Sequence, residues 1–392
     1  MYSTPISAAD PDMSRPLMAT LQPLRARRVV LIATQTLNNG VVFSNGLYQN
    51  IFTLYRLMEA LGYLPFFLVN TKEAEPAGYL IGCRVLTLEE FAKKPIPVHL
   101  YLEAGMSLSP ENRKILKMLG ARSAKLYLGN ILNIDTETSM FYPQMNFAHH
   151  VVGETDEIWV SPHYEQHREY AAILNGCSLS KSRIAPYVWD STFIAAQGAP
   201  KWTVAPAAAP TFVIMEPNIS FQKNAFLPLW IIEAWHRKTG IQPRVVFING
   251  NRFKAMPHSQ ENILPAMDIY NKGFIEFRDR SDMITIMREN PSATFLCHQI
   301  NNEYNYMILE LLWAGFPVVH NGERWADYGY TFRGCLVSEG VSSVERALAE
   351  HGRGGEQIQR SRAETLFWHH SIHNPNVQAA WRELVEVPAA IA

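Results

Sequence analysis

Asn301-Asn302-Glu303-Tyr304-Asn305-Tyr306-Met307-Ile308-Leu309-Glu310-Leu311-Leu312-Trp313-Ala314-Gly315-Phe316-Pro317-Val318-Val319 is the stretch on which the reading of the fold turns. Its polar opening gives way to a helix near Tyr304 to Ala314, Gly315 supplies the left-handed stop that ends many helices, and Phe316 to His320 continues as a strand. A helix delivered into a strand through a glycine turn is half of a βαβ unit. Glu310 is the only charge among the nine residues from Tyr306 to Ala314. A carboxylate in such apolar company costs several kcal/mol unless it is paired. It either accepts hydrogen bonds from the two hydroxyls of a nucleotide ribose or lies on an exposed helix stripe.

Outward from this stretch the same alternation recurs. Val29 to Thr34 reads as a strand, and Leu47, Ile51, Leu54, Met58 and Leu61 repeat along one helix face that Gly62 closes. Leu64 to Val69, Val98 to Leu102, Ala124 to Leu128 and Glu157 to Val160 are further strands. From Ala195 to Pro210 the sequence AAQGAPKWTVAPAAAP can propagate neither helix nor sheet and reads as a linker. Beyond it come strands Thr211 to Met215, Arg244 to Ile248 and Ala293 to Cys297, with a helix near Ala225 to Arg237. The expected architecture is α/β, with two doubly wound Rossmann-like domains facing across a cleft. The expected divisions are a disordered lead-in over 1–25, a first domain over 26–195, a linker over 196–210, a second domain over 211–362, and helices over 363–392 that dock back on one of them.

Composition narrows the function classes. The 392 residues carry 35 Lys plus Arg against 36 Asp plus Glu, so no overall field favours nucleic acid or an anionic membrane. The four cysteines lie far apart in or beside apolar runs, as reduced thiols of a cytoplasmic protein do. No signal peptide opens the chain, and no apolar run approaches the ~20 residues of a membrane span. Histidine pairs four apart, His163 with His167 and His369 with His373, have no third ligand nearby, and no metal is expected.

Ligands of open α/β sheets bind beyond the carboxyl ends of the strands, which directs attention to the loops there. The Glu310 to Val319 spacing resembles the donor-binding signature of GT-B glycosyltransferases, in which a Glu stands five residues before the Gly of a Gly-x-Pro-Val-Val turn. The retaining branch has a second Glu eight residues earlier; here that position is Asn302, with Glu303 one place off. The segments Thr155 to Pro162 and Arg183 to Asp190 are similar to the end of a GT-B first domain, and Glu216-Pro217-Asn218-Ile219-Ser220-Phe221-Gln222-Lys223 to the loop carrying a Lys for the donor diphosphate. The run from His298 to Asn321 also resembles a group of bacterial and phage GT-B proteins. That resemblance places His298, Asn305, Tyr306 and Asn321 around the donor, beside Glu216, Asn218, Lys223 and Glu310. It covers roughly Arg28 to Gly340 and implies transfer of a sugar from a nucleotide diphosphate sugar, a UDP-sugar first, with no other cofactor.

In the first half, Asn39, Gly40, Asn45 and Gly46 bound the loop after the first strand, where small residues let backbone N–H groups approach a phosphate or an acceptor. Inverting transfer needs a base for the acceptor hydroxyl. Glu103, emerging after a strand and before Gly105, is the first candidate, and His149 and His150 are the second. The acceptor is a surface glycan or a hydroxymethylated DNA base, for which Arg25, Arg27, Arg28, Arg252 and Lys254 offer scattered phosphate contacts. Competing readings are a nucleotide-sugar epimerase of the same fold and a non-catalytic binding protein; the chain acts as a monomer or dimer.

Overall fold

A computed structural model describes residues 28–35, 46–71, 82–142, 144–147, 150–151, 153, 155–204, 209–218 and 220–388. The chain divides into two compact units, one made of residues 1–190 with 368–392 and the other of 191–367.

The first unit is built on a seven-stranded sheet, β1 (Val29–Ala33), β2 (Leu64–Val69), β3 (Val85–Thr87), β4 (Leu100–Glu103), β5 (Arg122–Tyr127), β6 (Glu157–Val160) and β7 (Ser182–Ile184), in the order β3-β2-β1-β4-β5-β6-β7. Every pairing is parallel. Val29–Ala33 is buried at all five positions because helices cover both faces, which is why a parallel strand reads as an unbroken apolar run. The Gly46–Ala60 helix returns the chain from β1 to β2 and buries Ile51, Leu54, Leu57 and Met58.

The second unit repeats the plan with six strands, β8 (Thr211–Ile214), β9 (Arg244–Ile248), β10 (Ile275–Arg278), β11 (Thr294–Leu296), β12 (Val318–His320) and β13 (Tyr330–Thr331), ordered β10-β9-β8-β11-β12-β13 and again all parallel. Numbered within the unit this is the 3-2-1-4-5-6 order of a dinucleotide-binding sheet. The Phe226–Thr239 helix and the Val337–Glu350 helix pack with β8 and β9 around Phe212, Trp235, Phe247 and Val344. The Tyr306–Ala314 helix begins two residues after the expected start, is capped by Asn305, whose side chain accepts from the Met307 N–H, and ends at Gly315 with φ of 80°.

Two boundaries differ from the sequence expectation. The first unit ends at Asp190, and Thr192–Ala196 already forms a helix of the second unit. Much of the proline-rich stretch lies against that unit too: the Trp202 N–H donates to Ala314 O at 3.1 Å, and Lys201 Nζ sits 3.7 Å from the centre of the Trp313 ring. The Gly355–His370 helix carries the chain back, and the Pro375–Glu386 helix belongs to the first unit. There the Trp381 indole N–H donates to Pro186 O at 3.0 Å, and Arg122 and Arg183 flank buried Glu157 while donating to the carbonyls of Val385 and Val387. Among the described residues no helix is long and apolar enough to cross a membrane.

Candidate donor site and its relatives

In the second unit the strand order reverses between β8 and β11, the point at which such sheets bind ligands. Glu216 lies two residues past β8 and His298 two residues past β11, and they meet: Glu216 Oε1 accepts from the His298 N–H at 3.0 Å and from Gln299 Nε2 at 3.4 Å. Gln299 and Asn321 form a reciprocal pair, the Gln299 N–H donating to Asn321 Oδ1 at 2.7 Å and Asn321 Nδ2 to Gln299 O at 2.8 Å. This ties the loop after β11 to the loop after β12. Asn302 Nδ2 adds a bond to Gln299 Oε1 at 3.3 Å, and Cys335 Sγ approaches His298 Nε2 at 3.8 Å.

Asn218 shapes the loop from the other side. Its φ of 54° suits an asparagine. Its Oδ1 accepts from the Ala225 N–H at 2.8 Å and its Nδ2 donates to Glu216 O at 2.9 Å. The Phe226–Thr239 helix therefore starts with its Ala225 and Phe226 N–H groups already taken, the latter by Asn224, while Pro228 has none to give. Positive charge at this loop rests chiefly on Lys223, not on the helix end. Lys223 is only half-buried along its length, yet its ammonium lies deep enough that burial lowers its pKa, with Glu216 acting in the opposite direction.

Burial disfavours the charged forms of the groups here. Burial pushes the Glu216 carboxyl up to about 7 against the pull of Lys223 and of the His298 N–H, and burial drives the His298 imidazole down to about 4. His320 is also down at about 4 through burial; its Nε2 meets Tyr328 O at 2.7 Å and its Nδ1 accepts from the Gly322 N–H at 3.1 Å, so it serves the turn after β12. Glu310 and Tyr306, four residues apart on one face of the Tyr306–Ala314 helix, are each 8% exposed, and so the carboxylate does not sit on an open stripe. The structure thus brings Glu216, Asn218, Lys223, His298 and Asn321 together at neighbouring strand ends, while Asn305 caps the helix that follows β11 and Tyr306 and Glu310 lie on it. Gln222, Gln299 and Cys335 join them without having been foreseen, as does Asn302, which the sequence marked only as the place of the missing second glutamate. The run of amides around Gln299 was a signal for Gln299 and Asn302, and nothing in the sequence pointed to Gln222 or Cys335.

In the first unit the order reverses between β1 and β4. Gly105 is required there: a Cβ would lie 2.6 Å from Ile51 Cδ1 and 2.8 Å from Thr34 Oγ1. Glu103, at the end of β4, is enclosed. Lys125 Nζ lies 3.1 Å from Oε1 and Arg113 Nη2 3.4 Å from Oε2, which also accepts from the Tyr101 hydroxyl at 3.0 Å. Burial raises its pKa, and the charges of Lys125 and Arg113 outweigh that, leaving the carboxyl below its ordinary range. A carboxylate so paired is a poor proton acceptor and a good anchor. His150 stands otherwise: Nδ1 meets Asp135 Oδ1 at 2.6 Å, and Tyr170 donates to Asp135 Oδ2 at 2.7 Å. A carboxylate at Nδ1 favours the ring tautomer that carries its proton there and fixes the orientation of the imidazole. His149, Asn39, Gly40 and Asn45 lie outside the described residues, while Gly46 opens the Gly46–Ala60 helix.

Solved structures of similar architecture include an alpha-glucosyltransferase in complex with UDP and a 13-mer DNA containing a HMU base, at a TM-score of 0.58 and 8% identity over 91% of this chain and 98% of that one. Trehalose-6-phosphate synthase OtsA is similar at 0.57 and 12%, over 92% and 99%. Sucrose-phosphate synthase from Thermosynechococcus elongatus is similar at 0.53 and 12%, over 91% and 98%. No curated protein matches the sequence. The fold is that of the GT-B glycosyltransferases, and because the family described as "Protein of unknown function (DUF2827)" matches residues 30–385, the chain belongs to that family.

Proposed function

We propose that the protein is an inverting glycosyltransferase that moves a sugar from a nucleotide diphosphate sugar, a UDP-sugar first, to a hydroxyl acceptor. The observation that carries this reading is the burial of Glu310, the one carboxylate of the apolar helix that joins β11 to β12, in a unit whose strand-end loops hold Lys223, His298 and Asn321. Glu310 receives the ribose hydroxyls, and Lys223 offsets charge on the departing diphosphate in place of a metal ion. Asn302 in place of the second glutamate of retaining relatives supports inversion. His150, oriented by Asp135, is the base in preference to Glu103, because a carboxylate steadies its imidazole whereas the Glu103 carboxylate is held by two cations.

Thermal unfolding against a panel of nucleotide diphosphates and their sugars tests the donor. A ligand bound only by the folded state raises the midpoint with concentration. Glu310→Ala should abolish the shift while the protein stays folded; an equal shift in both proteins removes Glu310 from the site. Incubation with the donor alone separates transfer from epimerisation, since an isomerised sugar would mark an epimerase. Among acceptors a hydroxymethylated DNA base has support from the architecture shared with the DNA-bound alpha-glucosyltransferase. Activity on DNA should then fall steeply from low to moderate salt, and a flat response removes that acceptor in favour of a glycan.

A further inference from the structure

Lys223 is asked to serve two anions, the donor diphosphate and Glu216. Glu216 is fully buried; its Oε1 is held by the loop after β11, while Oε2, equally buried, has no hydrogen-bond partner among the described residues. Ionised Glu216 depends on Lys223 for compensating charge. The other titratable groups facing it are Cys297 and His298 beyond β11. The Cys297 thiol is lifted well above its usual range by burial and by Glu216, and His298 is held neutral by burial, so neither supplies a cation.

We propose that Glu216 is a proton-coupled positioning residue: when a diphosphate engages Lys223, the Glu216 carboxyl takes up one proton, and when the diphosphate leaves it gives that proton back. The inference rests on the donor reading of this site. Drawing the ammonium toward phosphate removes the charge that favours the carboxylate and brings a second anion near it, and both changes favour the neutral acid. Protonation in turn frees Lys223 for the ligand. Because burial already holds the free group at about 7, the exchange falls near neutral pH. The complex binds more protons than the free protein, so affinity declines as pH rises through and above that value, by at most about tenfold per pH unit for one proton.

Isothermal titration calorimetry of the full chain with UDP-glucose decides it. Both phosphates of this probe are esterified, so its diphosphate carries the same charge at about pH 6 and at about pH 8. Measured in two buffers of unlike ionisation heat, binding near pH 8 should take up between about half and one proton, binding near pH 6 little, and affinity should weaken roughly tenfold between them. Glu216→Gln should bind with a flat pH profile and no uptake. An infrared difference spectrum of the unmodified protein supplies a second readout should that variant fail to fold: a protonated-carboxyl band should appear on binding near pH 8. Binding without proton exchange, uptake that persists in Glu216→Gln, or absence of that band overturns the inference and leaves the donor reading standing. Failure of UDP-glucose to bind at any pH overturns the donor reading and the inference together.

Discussion

Glu103 and Glu216 stand on opposite sides of the reversal of strand order in their own units, Glu103 closing β4 and Glu216 two residues past β8, and each is buried. Their electrostatic circumstances are opposite. Glu103 is shared between Lys125 and Arg113 and is favoured in its ionised form, whereas among the described residues Glu216 has one bonded oxygen, one orphaned oxygen and a single cation to lean on. A buried carboxylate with two cations fastens a fold together. One with less than a full share stores an unmet demand that a ligand or a proton can satisfy. The first unit has thus used its strand-end acid for architecture, and the second has kept its own available.

The sharpest way to break this contrast is Glu103→Ala, which strands two buried cations and should cost about 3–5 kcal/mol in urea denaturation. A loss below about 1 kcal/mol would show that the network is dispensable. Next comes the pH dependence. Glu103 is lowered, so its contribution is present above the ordinary carboxylate range and is lost on acidification through its folded pKa. Glu216 is raised from 4.5 to about 7, so the folded state binds the extra proton and stability falls as pH rises between those values, by about 3 kcal/mol in all. The advantage of Glu216→Gln over the unmodified chain should therefore grow by about 3 kcal/mol from pH 4.5 to 8, read as midpoints of denaturant unfolding; a constant difference would place Glu216 with Glu103. Gly105→Ala, which drives a methyl into Ile51 and Thr34 at the first reversal, should cost about 1–3 kcal/mol. Asn218→Ala forces a left-handed backbone on alanine at the second and should cost about 1–2 kcal/mol, with looser nucleotide binding if the loop holds Lys223 in place.

How much of this was legible in the sequence depended on position in the sheet. Central strands such as Val29–Ala33 and Arg244–Ile248 are sandwiched by helices and spell themselves as apolar runs. The edge strands β3, β10 and β13 are short and only partly buried, and the alternation in Ile275–Arg278 runs for only four residues, too few to stand out; their conformation is imposed by a neighbouring strand that sequence does not reveal. The site divides in the same way. Lys223 and Glu310 were visible because a charge among apolar or loop residues stands out. The state of Glu216 was not, since the N–H that holds it comes from His298, 82 positions away. Nor was the pairing of His150 with Asp135, which lies on the Ile131–Phe141 helix. Glu103 looked like a base because its two cations, on the Pro110–Met118 helix and on β5, come together with it only in the folded sheet.

The return of Pro375–Glu386 to the first unit sets an order of events during synthesis. Trp381 and the main-chain carbonyls that receive Arg122 and Arg183 emerge from the ribosome only after the whole second unit has been made. The amino-terminal half must therefore wait, with the Glu157 neighbourhood unfinished and the surface that Trp381 covers exposed to water, while its successor folds. In such a chain the domain begun first is the one completed last, and shortening the carboxyl end should harm the half that lies farthest from it in sequence.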